Sequence, residues 1–300
     1  MSKRRNLIYF ILLGFFLCAF SVGSFFDYQI SEAMFCNKNT FGLVISVLGT
    51  IPGYGLMAFI GGGAVAYGLR KEYKSWTRVV FFISAAACYF AAVYFTGREF
   101  FGANGFTGAA IELVGFAIMV PVMAAVSFLG YRITSKCENK DIWILYLIIL
   151  ITLIVAFVPG CSLIKTIFHR PRFRSIMAVA DLDFYPWYVP CSNYKTLMNS
   201  YELVEEEFKS FPSGHSCVSL SFPLVVLFLP YVKKEYEKYV LPLFICGLVW
   251  SLLVMFCRIL VGAHFLSDVS MGAIVSVTCM LIASIVIKTK GKPFVENINE

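Results

Sequence analysis

Long apolar runs separated by short charged connections constrain this chain more than any other feature. They fall at roughly 7–26, 44–69, 79–98, 108–130, 143–164, 214–232, 239–262 and 265–287. About 20 apolar residues in a helix match the hydrocarbon thickness of a bilayer. Lipid offers no water to unpaired amides and carbonyls, which forces such runs into helices. Of the 300 residues, 59% are hydrophobic and only 14% charged, well below the charge content of a soluble domain. The expected fold is all-α, a polytopic membrane helical bundle of about eight transmembrane helices, forming one integral membrane domain over 1–300. Within it, 1–142 would hold spans one to four and 143–287 spans five to eight.

The charges between the runs alternate. One set of connections carries Lys3, Arg4 and Arg5, then Arg70, Lys71, Lys74 and Arg78, then Arg132, Lys136 and Lys140, then Lys233, Lys234 and Lys238, and finally Lys288, Lys290 and Lys292. The first two connections of the other set carry Lys38 and Arg98 alone. The positive-inside rule then puts both termini in the cytoplasm, as an even span count requires. The net charge of +7 is this topological signal, and no nucleic-acid partner is expected. The first run is read as an anchor helix, because it is longer than most signal-peptide cores and lacks a small-residue cleavage site.

Three smaller features complete the organisation. Residues 26–41 are too polar to span and read as a short amphipathic helix at the interface. Gly61, Gly62 and Gly63 read as a site of close helix packing. The ten cysteines show no CxxC pair; most read as packing residues, with a disulfide among Cys36, Cys161 and Cys191 left as an alternative. The connection 165–213 is long and polar, which is uncommon in a connection without a role. Its tip reads as solvated, with a surface helix near 200–209, and YPWYVP at 185–190 as an aromatic segment at headgroup depth.

Ionisable groups gather at the outer ends of spans five to eight. In CRILVGAHFLSDVS, 257–270, His264 and Asp268 are one helical turn apart and share a face. Gly262 reads as the turn that lets Arg258 and His264 converge. A carboxylate at i+4 can accept from Nδ1–H and leave Nε2 as a nucleophile. In FPSGHS, 211–216, Pro212, Ser213 and Gly214 open a helix whose first amides, with the Ser213 hydroxyl, form an anion site beside His215. In KTIFHRPRFR, 165–174, Pro171 stops a helix, so that Arg172 can fold back toward Lys165. Three cations, a helix N-terminus and two histidines suit a phosphoryl centre, which needs charge stabilisation, a nucleophile and a proton for the leaving oxygen. The cations supply the positive charge, so neither a metal nor a cofactor is expected.

Lys165 with six residues to Arg172, then PSGH at 212–215, then Arg258 with five residues to His264 and three to Asp268, resembles the three-part signature of the type 2 phosphatidic acid phosphatase superfamily. That superfamily includes membrane lipid phosphatases, glucose-6-phosphatases, bacterial acid phosphatases and vanadium haloperoxidases. The resemblance covers 165–268 and implies a six-helix core with two additional helices. It also implies roles: His264 as the attacking nucleophile, Asp268 orienting it, His215 protonating the leaving alkoxide, and Lys165, Arg172, Ser213, Gly214 and Arg258 holding the phosphate. Phe173 and Cys257 depart from the family pattern, which has proline and serine there; His169 and Arg170 read as rim contacts. The expected function is a metal-independent phosphatase at the outer face of the plasma membrane, or the lumenal face of the endoplasmic reticulum. Its expected partners are membrane lipids and a lipid phosphate monoester or diphosphate. A sugar-phosphate phosphatase, a phosphotransferase and a non-catalytic lipid-phosphate binder or transporter are the alternatives.

Overall fold

The computed structural model describes residues 2–36, 39–100, 109–137 and 142–290. Among these, all regular structure is helical. Lys38, Lys140 and Lys292, part of the charge pattern, lie outside the described residues. Seven helical segments are long and apolar enough to cross a membrane: Leu7–Met34, Thr40–Gly68, Ser75–Arg98, Leu113–Lys136, Ile142–Ala178, Lys234–Leu260 and Leu266–Val286. The protein is an integral membrane helical bundle.

The sixth expected span departs from the others. Residues 214–232 form α10 (Gly214–Ser221), a 3₁₀ stretch Phe222–Phe228 and α11 (Leu229–Val232). Pro223 and Pro230 remove amide donors from the α-helical ladder, which accounts for the change of winding. A 3₁₀ helix rises about 2 Å per residue against about 1.5 Å for an α-helix, so fewer residues cover the same rise in the 3₁₀ stretch.

The chain divides into two compact units, the first built from Met1–Gly42, Ile151–Cys217 and Met255–Glu300, the second from Leu43–Leu150 and Val218–Val254. In the second unit, α3 (Ile51–Gly68) packs against α4 (Ser75–Arg98) and α5 (Ala109–Lys136). A Cβ at Gly62 would collide with the Ser127 carbonyl, so α3 and α5 meet backbone to backbone only because the residue is glycine. α3 is preceded by α2 (Thr40–Leu48), with a break at Gly49 and Thr50 inside the second span.

In the first unit, α1 (Ser2–Met34) packs along α13 (Leu266–Lys290). α1 does not end at residue 26 but kinks there, at Phe26 (φ −125°, ψ 15°), and continues to Met34. Residues 26–34 of the polar segment expected to lie at the interface are therefore this helix's last turns, with Asp27 and Ser31 buried. α6 (Ile142–Phe157) enters the unit and passes through a π-helical stretch, Val158–Leu163, into α7 (Ile164–Phe168). Pro159, which has no N–H to donate, sits in the widened turn.

The long connection is also more ordered than expected. It contains α8 (Phe173–Ala178), α9 (Tyr194–Ser200) and a 3₁₀ turn Glu205–Phe208. Leu182, Cys191 and Phe208 are buried together as a small core, with Ile176, Val179 and Leu197 packed around them. The aromatic segment docks on α1: Trp187 Nε1 donates to Ser24 Oγ at 2.9 Å and its ring packs on Phe20. Cys36, Cys161 and Cys191 are free thiols.

Candidate active site

α12 (Val240–Leu260) fixes the first piece of the site. Gly262 has φ +64°, a left-handed conformation that glycine adopts without a Cβ penalty. Ala263 N–H donates to the Arg258 carbonyl at 3.0 Å, and Gly262 N–H to that of Ile259 at 2.9 Å. Together these two bonds make a Schellman motif. The motif sets the spacing between Arg258, in the last turn of α12, and His264, just past the turn. Both side chains are buried, each 1% exposed.

α13 then begins with Phe265 in the N-cap position. Asp268, three residues on, returns Oδ2 to the Phe265 N–H at 2.8 Å, the acidic half of a capping box. Its other contacts correct the sequence reading. Asp268 Oδ2 stands 3.7 Å from His264 Nδ1, too far for a hydrogen bond. His264 Nδ1 donates instead to the Ser210 backbone carbonyl at 2.8 Å. The Asp268 oxygens are committed elsewhere, to Arg170 Nη1 at 2.6 Å and Ser210 Oγ at 2.5 Å. Ser210, fully buried, thus stands between the carboxylate and the imidazole. No local pattern in the sequence marks it.

With Nδ1 donating, Nε2 carries the lone pair. Nε2 is buried and has no hydrogen-bond partner among the described residues. Burial first, then the positive charges of Arg258, Arg172 and Lys165 and the neighbouring His215, hold the imidazole well below the ordinary histidine range. The ring is therefore neutral at physiological pH, the form in which Nε2 can attack.

The second piece is the start of α10. Ser213 is its N-cap, accepting from Ser216 N–H at 3.3 Å while its own O–H proton stays available for donation. Ser213 N–H donates to the Asp268 carbonyl at 2.9 Å, which ties this helix start to that of α13. His215 follows at the second helical position, half-buried, its ring centroid 6.3 Å from that of His264. One phosphoryl group can contact both rings across that distance.

The third piece reaches the other two because the ends of the long connection pair with each other. Arg172 N–H donates to the Glu207 carbonyl at 2.8 Å, Arg172 Nε to the Glu206 carbonyl at 2.8 Å, Ser210 N–H to the Arg170 carbonyl at 3.0 Å, and Lys165 Nζ to the Lys209 carbonyl at 2.8 Å. Arg174 N–H, from the same strip, donates to the Gly262 carbonyl at 2.9 Å. Lys165, Arg172, Ser213, Gly214, His215, Arg258, His264 and Asp268 all lie in the first compact unit. Arg170 is not a rim residue, being 1% exposed, and half-buried His169 stacks on Tyr194 with centroids 3.6 Å apart.

Glu207 clamps this strip. It accepts from Arg174 Nη2 at 2.5 Å and Nε at 3.0 Å, and from Ser175 Oγ at 2.6 Å. Burial pushes its carboxyl up, but the Arg174 hydrogen bonds, the charges of Arg172 and Arg174, and the Ser175 hydroxyl outweigh this and lower it from 4.5 to about 2. Glu207 therefore contributes stability that is complete above pH 4.5 and lost as the pH falls toward about 2. The side chain is 12% exposed, and the shift is equivalent to roughly 3 kcal/mol. Glu207→Gln should lower the thermal unfolding temperature of the purified protein at pH 7 by several degrees. The gap to wild type should narrow as the pH drops below 4.5. An unchanged unfolding temperature at pH 7 would remove the clamp.

Residues 141–292 match the family model described as the PAP2 superfamily. Among curated proteins and among solved structures, none matches the chain.

Proposed function

The chain belongs to the PAP2 superfamily, which points to phosphatase activity on phosphate esters, and from that premise we propose that it hydrolyses a lipid phosphate monoester or diphosphate through a phosphohistidine intermediate. The observation that carries this reading is the His264 imidazole. Its Nδ1 is anchored on the Ser210 carbonyl, and its Nε2 is unbonded among the described residues. A protein that only held phosphate would need the cations and the helix N-terminus, but not an oriented, neutral imidazole opposite a second histidine.

The reaction has two balanced steps. His264 Nε2 attacks phosphorus and the bond to the leaving oxygen breaks, that oxygen taking a proton from His215. Water then attacks phosphorus, giving a proton to His215 as the P–N bond breaks, and inorganic phosphate departs. Arg258, Arg172, Lys165, the Ser213 hydroxyl and the first amides of α10 hold the phosphoryl oxygens, whose charge spreads in the transition state.

Depth favours a lipid. Leu163 and Ile167, four residues apart on one helix face, are 55% and 61% exposed, while Lys165 points from the opposite face of the same stretch to the Lys209 carbonyl, so a surface suited to acyl or prenyl chains adjoins the site. The alternating basic connections support cytoplasmic termini and a site at the extracytoplasmic or lumenal face, with 214–232 as an eighth crossing.

The test is phosphate release by purified protein from phosphatidic acid, a prenyl diphosphate and glucose 6-phosphate. Turnover of a lipid substrate that persists in EDTA and is blocked by orthovanadate, whose five-coordinate form imitates the transition state, is the expected result. Preference for glucose 6-phosphate would move the protein to the sugar-phosphate class. Absence of release from all three would leave a binder or transporter.

A further inference from the structure

Asp27, on α1 and outside the region matched by the family, has no part in the reaction as described above. It is 4% exposed, inside a helix otherwise apolar enough to cross a membrane. A buried acid in such a helix is retained only if something nearby satisfies it. Both of its oxygens are satisfied by residues adjoining the site. Oδ1 accepts the Ser267 N–H at 2.9 Å. Oδ2 accepts Arg170 Nη2 at 2.9 Å and the Ser267 hydroxyl. Arg170 completes the bridge. Its Nη1 donates to Asp268 Oδ1 at 2.6 Å and to Ser267 Oγ at 2.9 Å, and its Nε to the Tyr185 carbonyl at 2.8 Å. The guanidinium also lies over the Phe265 ring, 4.0 Å from its centroid.

Two consequences follow from this geometry. Phe265, in the N-cap position of α13, has no side-chain acceptor for the orphan amides of the first turn. Asp27 supplies that acceptor from another helix, favourably placed against the positive end of the helix dipole. A side chain at Gly23 would meet the Ser267 backbone nitrogen at 2.5 Å, so α1 can approach the start of α13 closely only with glycine one turn before Asp27. Second, one guanidinium serves two carboxylates. Arg170 holds Asp268 in place, while Asp27 takes up part of its charge. Asp268 is thereby held beside Ser210, on the Nδ1 side of a ring that becomes cationic when Nε2 is phosphorylated.

We infer that Asp27 is a positioning residue of the catalytic centre, acting through Arg170 on Asp268 and so on His264, and that α1 is part of the catalytic machinery as well as a membrane anchor. This rests on the phosphatase reading.

Asp27→Asn separates positioning from capping. The amide oxygen still accepts the Ser267 N–H, but the amide nitrogen faces the guanidinium as a second donor. In purified, monodisperse protein, kcat for the preferred substrate should fall on the order of 10- to 100-fold, as for other small displacements of reacting groups. KM should change less than about threefold, because the phosphate ligands are untouched. Asp27→Glu should recover part of the loss. Ser24→Ala, which removes the Trp187 contact on the same helix, should leave kcat unchanged. Were Asp27→Asn not recovered folded, Arg170→Lys, which keeps the charge but loses the fork, would take the same criteria. Wild-type kcat in either folded variant, or a loss confined to KM, overturns the inference. Lack of turnover in wild type itself overturns the phosphatase reading instead.

Discussion

Replacing His264 with alanine is expected to eliminate phosphate release, by at least about 10⁴-fold in kcat, because the covalent intermediate of the proposed reaction forms on its Nε2. The protein should still be extracted from membranes and migrate as wild type. The ring's one direct hydrogen bond among the described residues, to the Ser210 carbonyl, contributes about 1 kcal/mol net. The Asp268 contacts to Arg170, Ser210 Oγ and Phe265 N–H do not involve the imidazole. A second measurement checks the chemistry directly. Brief exposure of wild type to ³²P-labelled substrate, then denaturation in alkali, should trap an acid-labile, base-stable phosphoenzyme that His264→Ala lacks. Residual activity within tenfold of wild type, or label retained in the variant, would assign the nucleophile elsewhere.

The bundle was legible because the bilayer imposes one rule on every crossing, and hydropathy reads that rule directly. It was least legible where two windings satisfy the rule equally. The run 214–232 is apolar enough for a span, but hydropathy does not register that Pro223 and Pro230 turn part of it into a 3₁₀ helix. Hydropathy ends the first span near residue 26, because the segment that begins with Phe26 and Asp27 is too polar to span. The helix passes through Asp27 because the acid is satisfied by Arg170 and Ser267, partners far away in sequence.

The candidate site divides the same way. Spacing along a helix predicts which side chains share a face, and the Gly262 turn between Arg258 and His264 was readable from that alone. What accepts the Nδ1 proton was not. Asp268 at i+4 is the near choice in sequence, yet Ser210 reaches the ring because the two ends of the long connection pair with each other, which no local pattern encodes. Arg170, two residues from Arg172, was indistinguishable from a surface cation by composition. Asp27 did carry a signal, as an ionisable residue at the edge of a span, and its partner was what the sequence withheld.

His215→Asn should separate the two steps of the proposed reaction by its dependence on the leaving group. Asparagine keeps a polar side chain of similar reach but cannot deliver a proton as a general acid, a contribution of about 10²- to 10⁴-fold. With an alkyl or lipid phosphate, whose alkoxide leaves poorly without a proton, kcat should fall by about that factor. With p-nitrophenyl phosphate, whose phenolate leaves unaided, phosphoenzyme formation should stay near the wild-type rate. The second step still needs a base to activate water, so phosphoenzyme should accumulate and steady-state turnover should remain slow. A burst of p-nitrophenol equal to the enzyme concentration, followed by a slow phase, is the expected signature. An equal loss with both substrates and no burst would show that His215 only binds phosphate; its ring, 6.3 Å from that of His264, would then act as one more ligand of the anion.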